Sequence, residues 1–156
     1  MALVRILVDG YSLLHAWPEL AEGQPRHSAA AREALIQALT QYYDAVRTPI
    51  TIFFDGSGAP PGTPKEPCPP EIEVLFSKAG QTADQMIERV AYRMQKYGEV
   101  LVVTNDFAER DTVINLGGMA SSCEQFIFSL AGARDELAAD LKHHNRRERE
   151  RFRQAR

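Results

Sequence analysis

Four short apolar runs punctuate the first two thirds of the chain: residues 1–8 (MALVRILV), 50–54 (ITIFF), 72–76 (IEVLF) and 99–104 (EVLVVT). Continuous apolar runs of this length, bounded by glycine or polar residues, suit strands buried on both faces. Between them the apolar positions recur at helical spacing. Residues 11–17 suit a short helical turn before Pro18, and residues 19–27 are loop-like. From a Ser28 cap to about Arg47, the residues Leu35, Leu39, Tyr42 and Val46 form a stripe that Ile36 and Tyr43 widen. Thr82 and Gln85 form a capping box, after which Ala83, Met86, Ile87, Val90, Ala91, Met94 and Tyr97 make one apolar face that Gly98 ends. Residues 107–115 read as another helix, broken by Gly117-Gly118, and Met119 and Ala120 fit a short fifth strand. Ser121 or Ser122 caps a helix through Leu130, and a final helix is expected from Ala133 to about Glu150.

Strands alternating with helices predict an α/β fold, a three-layer α/β/α sandwich around a mainly parallel sheet of four or five strands with right-handed crossovers. In such sheets ligands bind beyond the carboxyl ends of the strands. Each of the four runs delivers an acid there: Asp9 after the first, Asp55 after the second, Asp106 (with Asn105) after the fourth. The third does so through its turn, which places Asp84 on the second residue of the helix it opens. Alone, an acid in a first helical turn complements the helix dipole, and Asp before Gly is a common turn residue. Four acids on one edge are harder to explain that way.

Bulk composition changes this picture only at one end. A chain of 156 residues, 44% of them hydrophobic, fits one domain. We assign it to residues 1–141, followed by a basic helical tail at 142–156, where seven Lys/Arg face two Glu, against eleven Lys/Arg and nineteen Asp/Glu in the body. Basic termini commonly meet nucleic acid, and a mixed charge run is equally what a solvated helix end looks like. Six of the nine prolines fall in residues 56–71, which read as a loop. No apolar run approaches a membrane span and no leader pattern precedes the first strand, so a soluble, cytoplasmic protein is expected. The two cysteines, Cys68 and Cys123, lack metal-ligand spacing and are expected to be free thiols.

Crowded carboxylates repel one another unless a cation neutralises them. A hard, oxygen-loving ion, Mg2+ or Mn2+, suits this set, and the absence of Cys/His clustering disfavours zinc. Such an ion can activate water and stabilise charge on a phosphodiester.

The motifs ILVDGYSLLHAWPEL (residues 6–20), TIFFDG (51–56), EVLFSKAGQTAD (73–84) and VTNDFAER (103–110), followed by NLGGMASS, resemble the YacP-like NYN domain family of the PIN-like nuclease superfamily. The resemblance covers about residues 5–132. It implies an α/β/α fold and metal-dependent endoribonuclease activity on RNA, messenger RNA included, with relatives acting at the ribosome. Asp9, Asp84 and Asp106 match the family's acids and are the implied metal ligands, Asp55 matches a supporting position, and Ser12 stands where the family's DGYN motif carries Asn. Ser12 and Asn105 complete the expected catalytic set. Ser has a shorter reach than Asn and no amide, so the competing expectation is a protein that binds RNA or the ribosome without cutting. Lys78, Tyr11, Arg146 and Arg147 are the expected RNA contacts, while Trp17 suits core packing better than base stacking, and the histidines are given no role. An aspartyl-phosphate phosphatase is disfavoured because Tyr11 stands where its second acid belongs, and a receiver domain because the first strand lacks its acidic pair.

Overall fold

Each apolar run becomes a strand. β1 (Leu3–Asp9), β2 (Ile50–Phe54), β3 (Ile72–Phe76) and β4 (Glu99–Val103) are joined by a short β5 (Met119–Ser121) in one sheet of order β3-β2-β1-β4-β5. Every neighbouring pair is parallel. The computed structural model describes residues 3–25, 27–56, 70–78 and 80–133. The expected helix at 133–150, the basic tail, Cys68 and most of the proline-rich loop lie outside these residues. Among the described residues no helix is long and apolar enough to cross a membrane.

Helices α1 (Gly10–Ala16), α2 (Ala29–Val46), α3 (Ala83–Met94) and α4 (Phe107–Asn115) link the strands, a 3-10 turn (Gln95–Tyr97) extends α3, and residues 123–133 form α5. Parallel strands need crossovers of this kind, and the crossovers cover both sheet faces. On one face Ile6, Val8, Ile50, Ile52 and Phe54 pack against Leu13, Leu35, Leu39 and, from α5, Phe126 and Leu130. On the other, Leu7, Phe53, Val100 and Val102 pack against Ala83, Ile87 and Ala91 of α3 and Val113 of α4. Alternate residues of each strand thus enter opposite layers, which is why the runs are apolar throughout. One polar chain crosses the sheet: Arg5 donates to Thr51 Oγ1 (2.9 Å) and Thr51 donates to Glu73 Oε1 (3.3 Å).

Helix starts follow the sequence closely. Ser28 caps α2 and the Thr82/Gln85 capping box is formed with both bonds in place. Ser122 and Gln125 make the reciprocal pair at the start of α5, with the Gln125 amide donating to Ser122 Oγ and the Ser122 amide to Gln125 Oε1. Four expectations are corrected. Val46 and Tyr97 are exposed, at 37% and 66%, Val46 at the last residue of α2 before the left-handed Arg47 and Tyr97 within the 3-10 turn beyond α3. Strand β4 stops at Val103. Residues 131–133 continue α5 without a break at Gly132, whose Cβ position is open and whose backbone needs no special conformation.

The two Asp-Gly pairs owe their glycines to close approach. A Cβ on Gly10 would meet the Phe54 ring, and one on Gly56 would lie 2.7 Å from the Ser77 carbonyl oxygen and 2.9 Å from Phe76 Cβ. Gly10→Ala should therefore lower stability by about 1–3 kcal/mol, the usual cost of overpacking. Urea denaturation checks this, and combining it with Phe54→Leu should give a smaller loss than the two single changes added together.

Candidate active site

The sheet order reverses direction between β1 and β4, so the crevice at their carboxyl ends is the topological switch point where open α/β sheets bind ligands. Asp9 is the last residue of β1 and the N-cap of α1, its Oδ1 accepting from the Ser12 amide at 3.3 Å. Asp106 follows β4 and caps α4, its Oδ1 accepting from the Glu109 amide at 3.2 Å, while its own amide donates to Thr104 Oγ1 at 3.2 Å. Asp84 is in the first turn of α3. Asp55, just beyond β2, accepts from the Ala83 amide (2.9 Å) and from Ser77 Oγ (3.2 Å), so it ties the start of α3 to the end of β2. Its carboxylate supports Asp84 from behind.

The four acids feel one another. Burial, and then the charge of Asp9 and a hydrogen-bonding contact with Asp106, push the Asp84 carboxyl up to about 7, with the charges of Asp106 and Asp55 adding to the shift. Burial also raises Asp9, reinforced by the charges of Asp55 and Asp106 and opposed by hydrogen bonds from Ser12 and Thr104. No cation among the described groups appears among the causes of either shift.

Two acids that sequence reasoning passed over enlarge the cluster. Glu109, only 4% exposed, is pushed up to about 9 by burial and by a shared hydrogen bond with Glu88, and the charge of Asp84 adds to this. Its carboxyl is protonated at neutral pH. Its Oε1 has no hydrogen-bond partner among the described residues. The signals were spacing: Glu88 lies one helical turn after Asp84 and Glu109 lies at the third position of α4, where an acid reads as ordinary N-terminal capping.

Ser12 and Asn105 brace the edge. Ser12 Oγ accepts from the Asn105 amide (3.1 Å) and from Cys123 Sγ (3.7 Å). The Asn105 side chain donates to Glu124 Oε1 (3.0 Å) and accepts from the Cys123 amide (2.8 Å), so it holds the start of α5. Of the expected RNA contacts, Lys78 is exposed in the loop before α3. Tyr11 packs inward, its ring 4.2 Å from His27 and 4.9 Å from Phe54, with Arg32 donating to its hydroxyl. Trp17 packs on the core. Arg146 and Arg147 lie outside the described residues.

Among the described residues no group of three or more His, Cys, Asp or Glu is gathered tightly enough to hold an ion by itself. The donor chemistry nevertheless fits Mg2+ or Mn2+, which are held through one or two carboxylates and otherwise by water and phosphate. Asp84 and Asp106, in hydrogen-bonding contact, offer that pair, with Asp9 beside them.

Residues 6–155 match the YacP-like NYN domain family, running past residue 132 where the motif resemblance ends. The uncharacterized protein YacP of Bacillus subtilis (strain 168) is 28% identical over 123 residues, 78% of this chain and 72% of that protein. Two crystal structures of Rae1 (YacP) from Bacillus subtilis, one of them of a mutant, share the fold at 24% identity. Their TM-scores are 0.74 and 0.71, over 90% and 91% of this chain and 82% and 80% of theirs. By a match over nearly its whole length, joined to the expected fold, the chain belongs to the YacP-like NYN domain family, a PIN-like nuclease kind.

Proposed function

We propose that this protein is a metal-dependent endoribonuclease that hydrolyses RNA phosphodiester bonds in the cytoplasm, with messenger RNA at the ribosome as the setting that the family resemblance implies. The observation that carries the reading is the crowding of Asp9, Asp84 and Asp106 at the switch point, where burial first and then the charges of the neighbouring acids raise Asp9 and Asp84. Acids kept in such proximity are poised for a divalent cation.

In this reading Asp84 and Asp106, joined by Asp9, hold Mg2+ or Mn2+. When bound, the ion supplies Lewis acidity that activates water and offsets charge developing on the phosphodiester. Asp55 fixes the direction of Asp84 by capping the first amide of α3. Ser12 and Asn105 fix the loop that carries Asp106. Protonated Glu109 limits the negative charge behind the ligands. A second reading, RNA binding without cleavage, is favoured by one observation: Ser12 Oγ, at the position of the family Asn, already accepts two hydrogen bonds from the protein.

Incubating the purified protein with RNA and Mg2+ or Mn2+ decides between them. Cleavage should yield 5′-phosphate and 3′-hydroxyl ends, stop in chelator, and fall by at least about 100-fold in Asp84→Asn and in Asp106→Asn, since even the outer partners of metal ligands are typically worth 10–100-fold. Cleavage that survives both substitutions and chelation would sink the nuclease reading, and salt-sensitive binding without cleavage would establish the second.

Stability should report the same charge cluster. A carboxyl raised in the folded state takes up a proton on folding, so the stability it contributes is complete below its unfolded value and is lost as pH rises through its folded value. For Asp84 that window runs from 3.8 to about 7, and for Glu109 from 4.5 to about 9. In chelator, Tm should fall between about pH 5 and about pH 8. Glu109→Gln should flatten the upper part of that fall, and Mg2+ should raise Tm more at the higher pH. A Tm that is level across this range would contradict the coupling.

A further inference from the structure

Outside the acidic edge, the most unusual surface is the outer side of α3. Arg89, Tyr92 and Arg93 share one stripe of α3, and Lys96 and Tyr97 follow in the 3-10 turn that extends it. All five are exposed, the two tyrosines at 66% each. The sequence pattern assigned Tyr97 to the core, where it is not, and its ring joins Tyr92 beside three cations on the surface.

The charge of the stripe points the same way. Residues 1–141 carry eleven Lys/Arg against nineteen Asp/Glu, yet three of the eleven sit on this stripe and the turn that extends it, which hold no acid. Lys96 Nζ lies 5.1 Å from the centre of the Tyr97 ring, a cation and an aromatic face already set side by side. Tyr92, Arg93, Lys96 and Tyr97 also line a groove of about 990 Å³ that Gly98, Gly117 and one acid, Glu99, help to form.

We propose that this face of α3 is a track for single-stranded RNA, with Arg89, Arg93 and Lys96 on phosphates and Tyr92 and Tyr97 under unpaired bases. Cations interleaved with aromatics are what sequence-tolerant single-strand binders present. Only unpaired bases expose the faces such rings need. The helix gives the track its direction. Its first turn carries Asp84 at the acidic edge, and its last residue, Met94, lies about 15 Å further along at 1.5 Å per residue. At 3.6 residues per turn Asp84 lies about 140° around the helix from Arg89, so a strand on this face reaches the acids by crossing the first turn of α3. The proposal rests on RNA being the substrate of that edge.

The test is binding of the full chain to a fluorescently labelled, unstructured RNA oligonucleotide in chelator, so that no turnover enters the measurement. The triple variant R89Q/R93Q/K96Q should bind at least about tenfold more weakly, and the slope of log K against log salt should shrink by about 2, since each phosphate contact on a single strand contributes about 0.7. Single substitutions, each expected to remove about 0.7 of slope, carry the same test if the triple variant does not fold. Tyr92→Ala and Tyr97→Ala should each weaken RNA by about fivefold or more, be rescued by Phe, and leave binding of inorganic polyphosphate unchanged. An unchanged affinity and slope in the triple variant overturns the track, including the case in which the face serves an acidic protein instead. Absence of cleavage with these binding effects intact would count against the nuclease reading and leave the track standing.

Discussion

The structure turns on a contest between carboxylates and helix amides at one edge of a parallel sheet. Asp9 and Asp106 cap α1 and α4, Asp55 takes the first amide of α3, and Asp84 sits in that helix's first turn. Each acid is therefore held at the positive end of a helix, where a negative charge is favoured by a fraction of a kcal/mol to about 1 kcal/mol. That attraction keeps the carboxylates in place without offsetting their burial and the added charge of their neighbours, which leave Asp9 and Asp84 raised. The edge is built to hold more negative charge than its own donors neutralise.

Close approach makes such an edge possible. Gly10 and Gly56 let the chain leave β1 and β2 against Phe54, Phe76 and the Ser77 carbonyl, with no room for a Cβ. After β1 the helix α1 starts at once, so Asp9 arrives on a helix start, as Asp106 does after β4. Asn105 ties α5 to this edge, bonding its first amide and Glu124 while its own amide is held by Ser12.

Strand runs and caps were legible because they obey local rules. Ile50–Phe54 and Ile72–Phe76 match to the residue, and Ser28 and Thr82 cap as their spacing requires. The convergence of Asp9, Asp55, Asp84 and Asp106 followed from topology alone, since parallel strands put all their carboxyl ends on one side. What escaped was tertiary. Glu109 looked like a surface acid in a first turn, and only the packing of α4 against α3 buries it beside Glu88. Tyr97 shared the period of the α3 core face, but α3 ends at Met94 and the 3-10 turn beyond it leaves the ring exposed. Tyr11, read from its place beside Asp9, turned toward Phe54 because α1 starts at Gly10 with that ring directly beneath it. The glycines of the two Asp-Gly pairs were read as turn residues, whereas their reason lies in rings and carbonyls distant in sequence.

Cys123 gives the acidic edge an unexpected chemical neighbour. Its sulfur is fully buried and lies 3.7 Å from Ser12 Oγ, behind the bracing bonds of Asn105. Burial pushes the thiol up to about 11, the hydrogen bond to Ser12 lowers it, and the charge of Asp9 raises it further. At neutral pH about one thiol in 10⁴ is therefore ionised, and the thiolate is the form that reacts with oxidants and electrophiles. Burial above all, with the charge of Asp9 adding to it, favours the unreactive thiol form of the sulfur beside the acidic edge.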